Sequence, residues 1–343
     1  MRLIRACLIL PFLLLPAVAQ EPESGPSNEK AQKTFKQAWE YLKQRNQQSA
    51  LDSFKKADKQ DGGHCTACQK QMVKYGTDLG DWKTAEIGAE ELIASAKSDR
   101  DAALAHYGLA LVFMDEGLQK HKDEYFTRTH EECMKAMPPS LKFPDAVLLD
   151  GRALAQLHQD DAAKNRFEQY LAMKPGDDAN HQRVSRYVSR PELARARMAP
   201  PFSVTTTDGK VVAMDDLQGK VVLLDFWATW CEPCREAMPH IRNVAKKFQG
   251  QPLVVLSVSL DDDEQKWKAY IAKNEMTWPQ YCDGGFTGPV ARMFGVREIP
   301  HTFTIDADGV LQEEHVGDAS IEGKLKKLLA QAREGQSSDK TPK

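Results

Sequence analysis

Cys231 and Cys234, in the run Trp230-Cys231-Glu232-Pro233-Cys234, are the residues whose type and spacing best suit chemistry. Before them lies Val221 to Trp227, apolar except at Asp225, long enough for a buried strand and too short for an ordinary helix. After them the pattern is helical to about Gln249, where Gly250 stops it. A thiol at a helix N-terminus meets unpaired backbone N–H groups and the positive end of the dipole, and both favour its thiolate. Two thiols three residues apart there can close a small disulfide ring, one sulfur open to attack and the other beneath it. Pro233 costs little in a first turn, where its missing N–H would have no partner. The chemistry is thiol–disulfide exchange, with Cys231 attacking and Cys234 resolving the mixed disulfide.

Asp225 interrupts an apolar strand. A carboxylate buried there is costly unless paired or protonated, so its pKa should rise, which suits a base taking the proton of Cys234. Glu232 opposes thiolate formation at Cys231 while the helix end favours it. It reads equally as an exposed first-turn acid complementing the dipole. Zinc is disfavoured because no second Cys/His pair stands at finger spacing in this half, and no cofactor is called for.

The stretch Asp225 to Cys234 resembles the active-site segment of the thioredoxin superfamily, in the extracytoplasmic TlpA/ResA-like branch grouped with AhpC/TSA domains. The resemblance implies a three-layer α/β/α domain with a mixed sheet, and it places an acid where Asp225 stands. Val296 to Phe303 resembles the superfamily's cis-proline loop. It implies a cis Ile299–Pro300 bond against the disulfide, with the Ile299 backbone open to pair with an extended client. Trp230, Glu232, Pro233, Ile299 and His301 then form the client-binding surface, His301 being either a proton shuttle or a plain surface-loop histidine. Trp227 and Trp230 divide into one packing and one rim residue, and Cys282 is structural. Many ResA-like proteins carry a catalytic Glu three residues after the second Cys; here that position is Ala237, with Glu236 one step earlier.

The resemblance implies reduction of exported cysteines, including apocytochrome c CxxCH sites, with electrons from a membrane thiol donor. Two rival readings stand beside it. A peroxidase would carry Thr or Ser three residues before its reactive Cys, where this chain has Ala228. A binding scaffold would use the helical half to hold a partner around an inert thioredoxin-like part, and the intact Cys231, Cys234, Asp225 and Pro300 argue against it.

The first residues have the form of a cleavable secretory signal: Arg2 and Arg5, an apolar run from Ala6, and Ala17-Val18-Ala19 before Gln20. The run is short for a membrane span, and an uncleaved anchor is the alternative. Export to a periplasmic or other extracytoplasmic space puts the cysteines in an oxidising compartment, where thiols persist only under continued reduction. With 46 Lys plus Arg against 49 Asp plus Glu and no basic block, the chain does not read as a nucleic-acid binder.

From Ala31 to about 190 the pattern is helical and repetitive. Ala50, Phe54 and Ala57 recur as Ala163, Phe167 and Tyr170; Gly80-Asp81-Trp82 marks a second unit, Gly108 a third, and Gly151 the start of the last helix pair. Ala50 and Ala85 stand about one repeat length apart, and the segment resembles imperfect tetratricopeptide repeats, whose concave face commonly holds a peptide or protein. The other reading is a spacer. Cys65 and Cys68 fall where a repeat's first helix begins; a structural disulfide is favoured over a second redox pair or half a metal site, and Gln69 after Cys68 excludes haem attachment. Cys133 reads as a small buried hydrophobe.

At 343 residues there is room for two cores. The expected order is signal peptide 1–19, leader 20–30, all-α repeats 31–190, linker 191–201, thioredoxin-like domain 202–334 and polar tail 335–343. The fold class is therefore α followed by α/β.

Overall fold

A computed structural model of the chain describes residues 25–176, 179–317 and 321–338. The signal-like run 1–19 lies outside the described residues. Two compact units divide the chain, one helical and one built on a sheet.

The helical unit contains α1 (Glu29–Lys43), α2 (Gln47–Gln60), α3 (Thr66–Leu79), α4 (Trp82–Ala94), α5 (Asp99–Lys120), α6 (Asp123–Ala136), α7 (Pro144–Gln156) and α8 (Asp160–Met173), and α9 (Ala179–Ser189) follows. The first helix begins inside the segment read as leader, because the Asn28 side chain accepts from the N–H groups of Lys30 and Ala31 and so caps it. Each helix packs on the next: α1 on α2, α3 on α4, α5 on α6 and α7 on α8 form hairpins, and α2–α3, α4–α5 and α6–α7 join them. Gly80 ends α3 in the left-handed region and Asp81 caps α4, so a two-residue joint turns the chain.

Gly151 does not open the last helix pair. It sits within α7, and a Cβ there would lie 2.6 Å from the Phe167 ring of α8. Gly117 on α5 takes the Phe126 ring of α6 in the same way, at 2.7 Å. The aromatic and small residues that repeat in the sequence are thus knob and socket of paired helices. Cys133 is buried beside Ala110, Met114 and Phe126, and burial pushes its thiol pKa up.

In the second unit β1 (Ser203–Thr205) and β2 (Val211–Ala213) form a hairpin that turns through Gly209. The main sheet holds β3 (Val221–Trp227), β4 (Leu253–Ser259), β5 (Gln280–Cys282), β6 (His301–Ile305) and β7 (Leu311–Val316) in the order β5-β4-β3-β6-β7. Strands β3, β4 and β5 are parallel, and β6 and β7 join antiparallel. The helices are α10 (Glu232–Lys247), α11 (Glu264–Lys273), α12 (Pro289–Met293) and α13 (Glu322–Ser338). The last of these runs into the segment read as tail.

Every residue of β3 is buried, as expected of a central strand covered on both faces. Phe226, Phe294 and Phe303 pack in one aromatic cluster with ring centroids 5.0–5.9 Å apart. On α10 the buried residues Cys234, Met238, Ile241 and Val244 fall at helical spacing, so one stripe faces the sheet. The resolving cysteine belongs to that stripe, and the strand–helix junction therefore holds the cysteine pair at the rim of the core.

Candidate active site

Cys231 is the N-cap of α10, and its sulfur accepts the backbone N–H of Cys234 at 3.2 Å. The two are joined by a disulfide with Cα atoms 5.3 Å apart. Cys231 is 6% exposed and Cys234 1%, so the first sulfur is the one an incoming thiol can reach. Reduced, Cys231 would hold its negative charge against a backbone N–H and the helix dipole, both lowering the cost of the thiolate. Glu232 and Pro233 are exposed in the first turn, where they add nothing to the core.

The Ile299–Pro300 peptide bond is cis, and the Ile299 carbonyl oxygen lies 3.9 Å from the Cys231 sulfur. Register explains the proximity. Asp225 pairs with Thr302 and Phe226 with His301, so β6 starts beside the end of β3 and the loop before it arrives at the cysteines. Pro300 is buried and Ile299 half-buried. Trp230 is 52% exposed and its ring lies 6.4 Å from that of Phe286, which is also exposed. An apolar rim thus borders the disulfide. Trp227 is fully buried, in keeping with one packing and one rim tryptophan.

Asp225 lies on β3 between Ser257 of β4 and Thr302 of β6. Burial drives its pKa up to about 7, opposed by a hydrogen bond of 2.9 Å donated by the Ser257 hydroxyl to Oδ2. That hydroxyl in turn accepts from the Trp278 indole N–H at 2.9 Å. The acid is therefore poised near neutrality, where a group can both take and give a proton.

His301 corrects the sequence reading. It is not a surface-loop residue: it starts β6, is 4% exposed and stacks on Phe303 with centroids 4.6 Å apart. Strand pairing with Phe226 turns it inward, and burial holds its pKa below the ordinary value despite Glu314 at 3.2 Å. Its place in the client-binding surface is withdrawn.

Sequence reasoning missed Thr229, Ser257, Asp261 and Trp278. Asp261, just past β4, accepts from the Thr229 N–H at 2.9 Å, the Thr229 hydroxyl at 2.6 Å and the Ser259 hydroxyl at 2.6 Å. Arg235 donates to the Thr229 carbonyl at 3.0 Å. The turn before Cys231 is thereby tied to the neighbouring strand and to the first turns of α10. The Cys282 thiol donates to the Asp261 carbonyl at 3.2 Å, and its burial raises its pKa. The small polar residues at the ends of β3 and β4 were the only sequence signal for this clamp.

A family profile described as AhpC/TSA matches residues 196–314. Thiol-disulfide oxidoreductase ResA of Bacillus thuringiensis is 30% identical over 145 residues, covering 41% of this chain and 83% of that protein. The chain belongs to the AhpC/TSA family. The thioredoxin-like protein YneN of Bacillus subtilis is 34% identical over 128 residues, covering 36% of this chain and 73% of its own. A solved thiol:disulfide interchange protein of the thioredoxin family from Chlorobium tepidum is 28% identical, covers 39% of this chain and 97% of that one, and superposes with a TM-score of 0.36. This AhpC/TSA protein is a thiol–disulfide oxidoreductase, and Cys231–Cys234 is a disulfide within its matched region.

Proposed function

We propose that the chain is exported and reduces disulfides of cysteine-containing client proteins outside the cytoplasm, apocytochrome c CxxCH sites among them. The observation that carries the reading is the one-sided access at the disulfide: Cys231 at the helix tip beside the Ile299 carbonyl, Cys234 beneath it in the apolar stripe of α10. Signal-like residues 1–19 support export.

In the dithiol form, the Cys231 thiolate attacks one sulfur of a client disulfide. A Cys231–client bond forms, the client bond breaks, and the second client sulfur leaves and is protonated. Cys234 then gives its proton to Asp225 and attacks Cys231, closing the Cys231–Cys234 bond and releasing the remaining client thiolate. That thiolate takes up a proton. Two electrons and two protons have moved to the client, and a membrane thiol donor returns them. The client segment lies extended along the Ile299 main chain, with Trp230 and Phe286 covering its apolar side chains. The stacked hairpins from α1 to α8 fit tetratricopeptide-like repeats that hold a peptide or protein partner.

Insulin-disulfide reduction tests the enzyme. Cys231→Ser should abolish it, whereas equal turnover by the wild type and this variant would sink the mechanism. Cys234→Ala, expressed with residues 1–19 in place, should accumulate clients disulfide-bonded to Cys231. Apocytochromes in that set would support the maturation role, and an empty trap would count against exported clients.

A further inference from the structure

Cys65 and Cys68 reproduce the local architecture of the active site in the other unit. Cys65 is the N-cap of α3 and its sulfur accepts the Cys68 N–H at 3.1 Å, as Cys231 accepts that of Cys234 at 3.2 Å. Both pairs are disulfides, with Cα separations of 5.2 and 5.3 Å. Both pairs are buried, and in each the first cysteine is the less buried of the two: Cys65 is 2% exposed and Cys68 0%, against 6% and 1%.

As a staple this disulfide would do little. The entropy removed from the unfolded chain grows with the loop closed, and a separation of three residues closes a loop within one helical turn. The helix N-terminus meanwhile stabilises the thiolate that reduction would release.

A buried carboxylate completes the likeness. Asp58, 4% exposed, accepts the Cys65 N–H at 3.1 Å and the Gln69 side-chain N–H at 3.1 Å. Burial raises the pKa of Asp58, and burial together with Asp58 raises that of Glu91 to about 7. Gln69 Oε1 is buried with no hydrogen-bond partner among the described residues, and the Glu91 carboxyl shares a hydrogen bond with that of Asp58. Gln69 is itself fully buried. Reduction would bring two S–H donors beside a buried residue that holds a spare acceptor, which an apolar structural disulfide does not require.

We propose that Cys65–Cys68 is a second thiol–disulfide exchange centre, reduced in the folded protein by dithiols and re-oxidised by disulfides of the kind that Cys231 and Cys234 form. A donor thiolate attacks the Cys65 sulfur, the Cys65–Cys68 bond breaks, and the Cys68 thiolate leaves and takes up a proton. The donor's second thiol loses its proton to solvent and attacks the donor sulfur bound to Cys65, so the donor closes to a disulfide. The Cys65 thiolate is released and protonated. Two electrons and two protons pass from the donor dithiol to the pair.

The test equilibrates the full chain with graded mixtures of reduced and oxidised dithiothreitol, blocks free thiols with maleimide, and quantifies the Cys65 and Cys68 peptides by mass spectrometry. The expected result is that both become labelled together in one two-electron transition while far-UV circular dichroism stays native, and that re-oxidation restores the bond. A pair that stays closed at every poise leaving the chain folded, and opens only in denaturant, is a staple and overturns the proposal. Loss of helical signal in step with labelling overturns it too. Repeated on the C231S/C234S chain, the titration should keep its midpoint, so failure of the function proposed for Cys231 does not decide this result.

Discussion

The Ser257 hydroxyl donates a 2.9 Å hydrogen bond to Asp225 Oδ2 from the paired position on the neighbouring strand. It is the interaction that pulls the Asp225 pKa down against burial, and the Trp278 indole N–H fixes the hydroxyl's direction from the other side. Ser257 and Trp278 thus bias the protonation of the acid buried in β3.

Ser257→Ala should therefore raise the Asp225 pKa further above about 7. The alkaline rise of client reduction is expected to move up by roughly one pH unit, the worth of a hydrogen bond to a charged group. A pH–rate profile of insulin reduction checks this. An unmoved profile with reduced activity would assign Ser257 to packing alone.

Asp225→Asn separates catalysis from stability. The ordinary carboxyl value is 3.8 and the folded one about 7, so between them the folded chain holds a proton the unfolded chain has lost. Stability from this group is present below about pH 4, falls as pH rises to about 7, and stays lost above. The loss is on the order of a few kcal/mol. The Asn variant should be more stable than wild type at pH 8, show no such gain near pH 4, and turn over on the order of a hundred-fold more slowly. Urea midpoints for both proteins at the two pH values check it, and a stability difference independent of pH would contradict the assignment.

Trp230→Ala and Phe286→Ala should raise KM for a protein client and leave kcat nearly unchanged, because both rings are exposed and form only the rim. Removing one ring face costs about 1 kcal/mol, or roughly five-fold in KM. Steady-state kinetics with an unfolded client measures the split. A drop in kcat alone would place the rings in the chemistry instead.

Gly151→Ala and Gly108→Ala give opposite outcomes within one helical unit. A Cβ at Gly151 meets the Phe167 ring at 2.6 Å, and overpacking of this kind costs about 1–3 kcal/mol. At Gly108, mid-helix in α5, a Cβ meets nothing within 4 Å, so alanine should stabilise by up to about 1 kcal/mol. Thermal unfolding of the two variants should move in opposite directions, and parallel shifts would refute the packing account.

Local pattern made the strand–cysteine–helix junction legible, because a run apolar but for Asp225, an N-terminal proline and a stop glycine are properties of neighbours in sequence. It also made legible that Asp225 is buried and raised in pKa. It misjudged Gly151 and His301 because the same residue type serves opposite places. A glycine can open a helix or seat an aromatic ring, and a histidine after a loop can face solvent or the sheet. Only the partner strand or helix decides.

The residues alone fixed the kind of chemistry here: two thiols at a helix tip, an acid in an apolar strand, a proline in the loop before a strand. Tertiary structure decided what surrounds them. The β3–β6 register carries Ile299 to Cys231, the β3–β4 register sets Ser257 against Asp225, and Asp261, just past β4 and 32 residues on, clamps Thr229. Such pairings depend on which backbone lies beside which, and side chains distant in sequence acquire their hydrogen bonds and burial only when that choice is made.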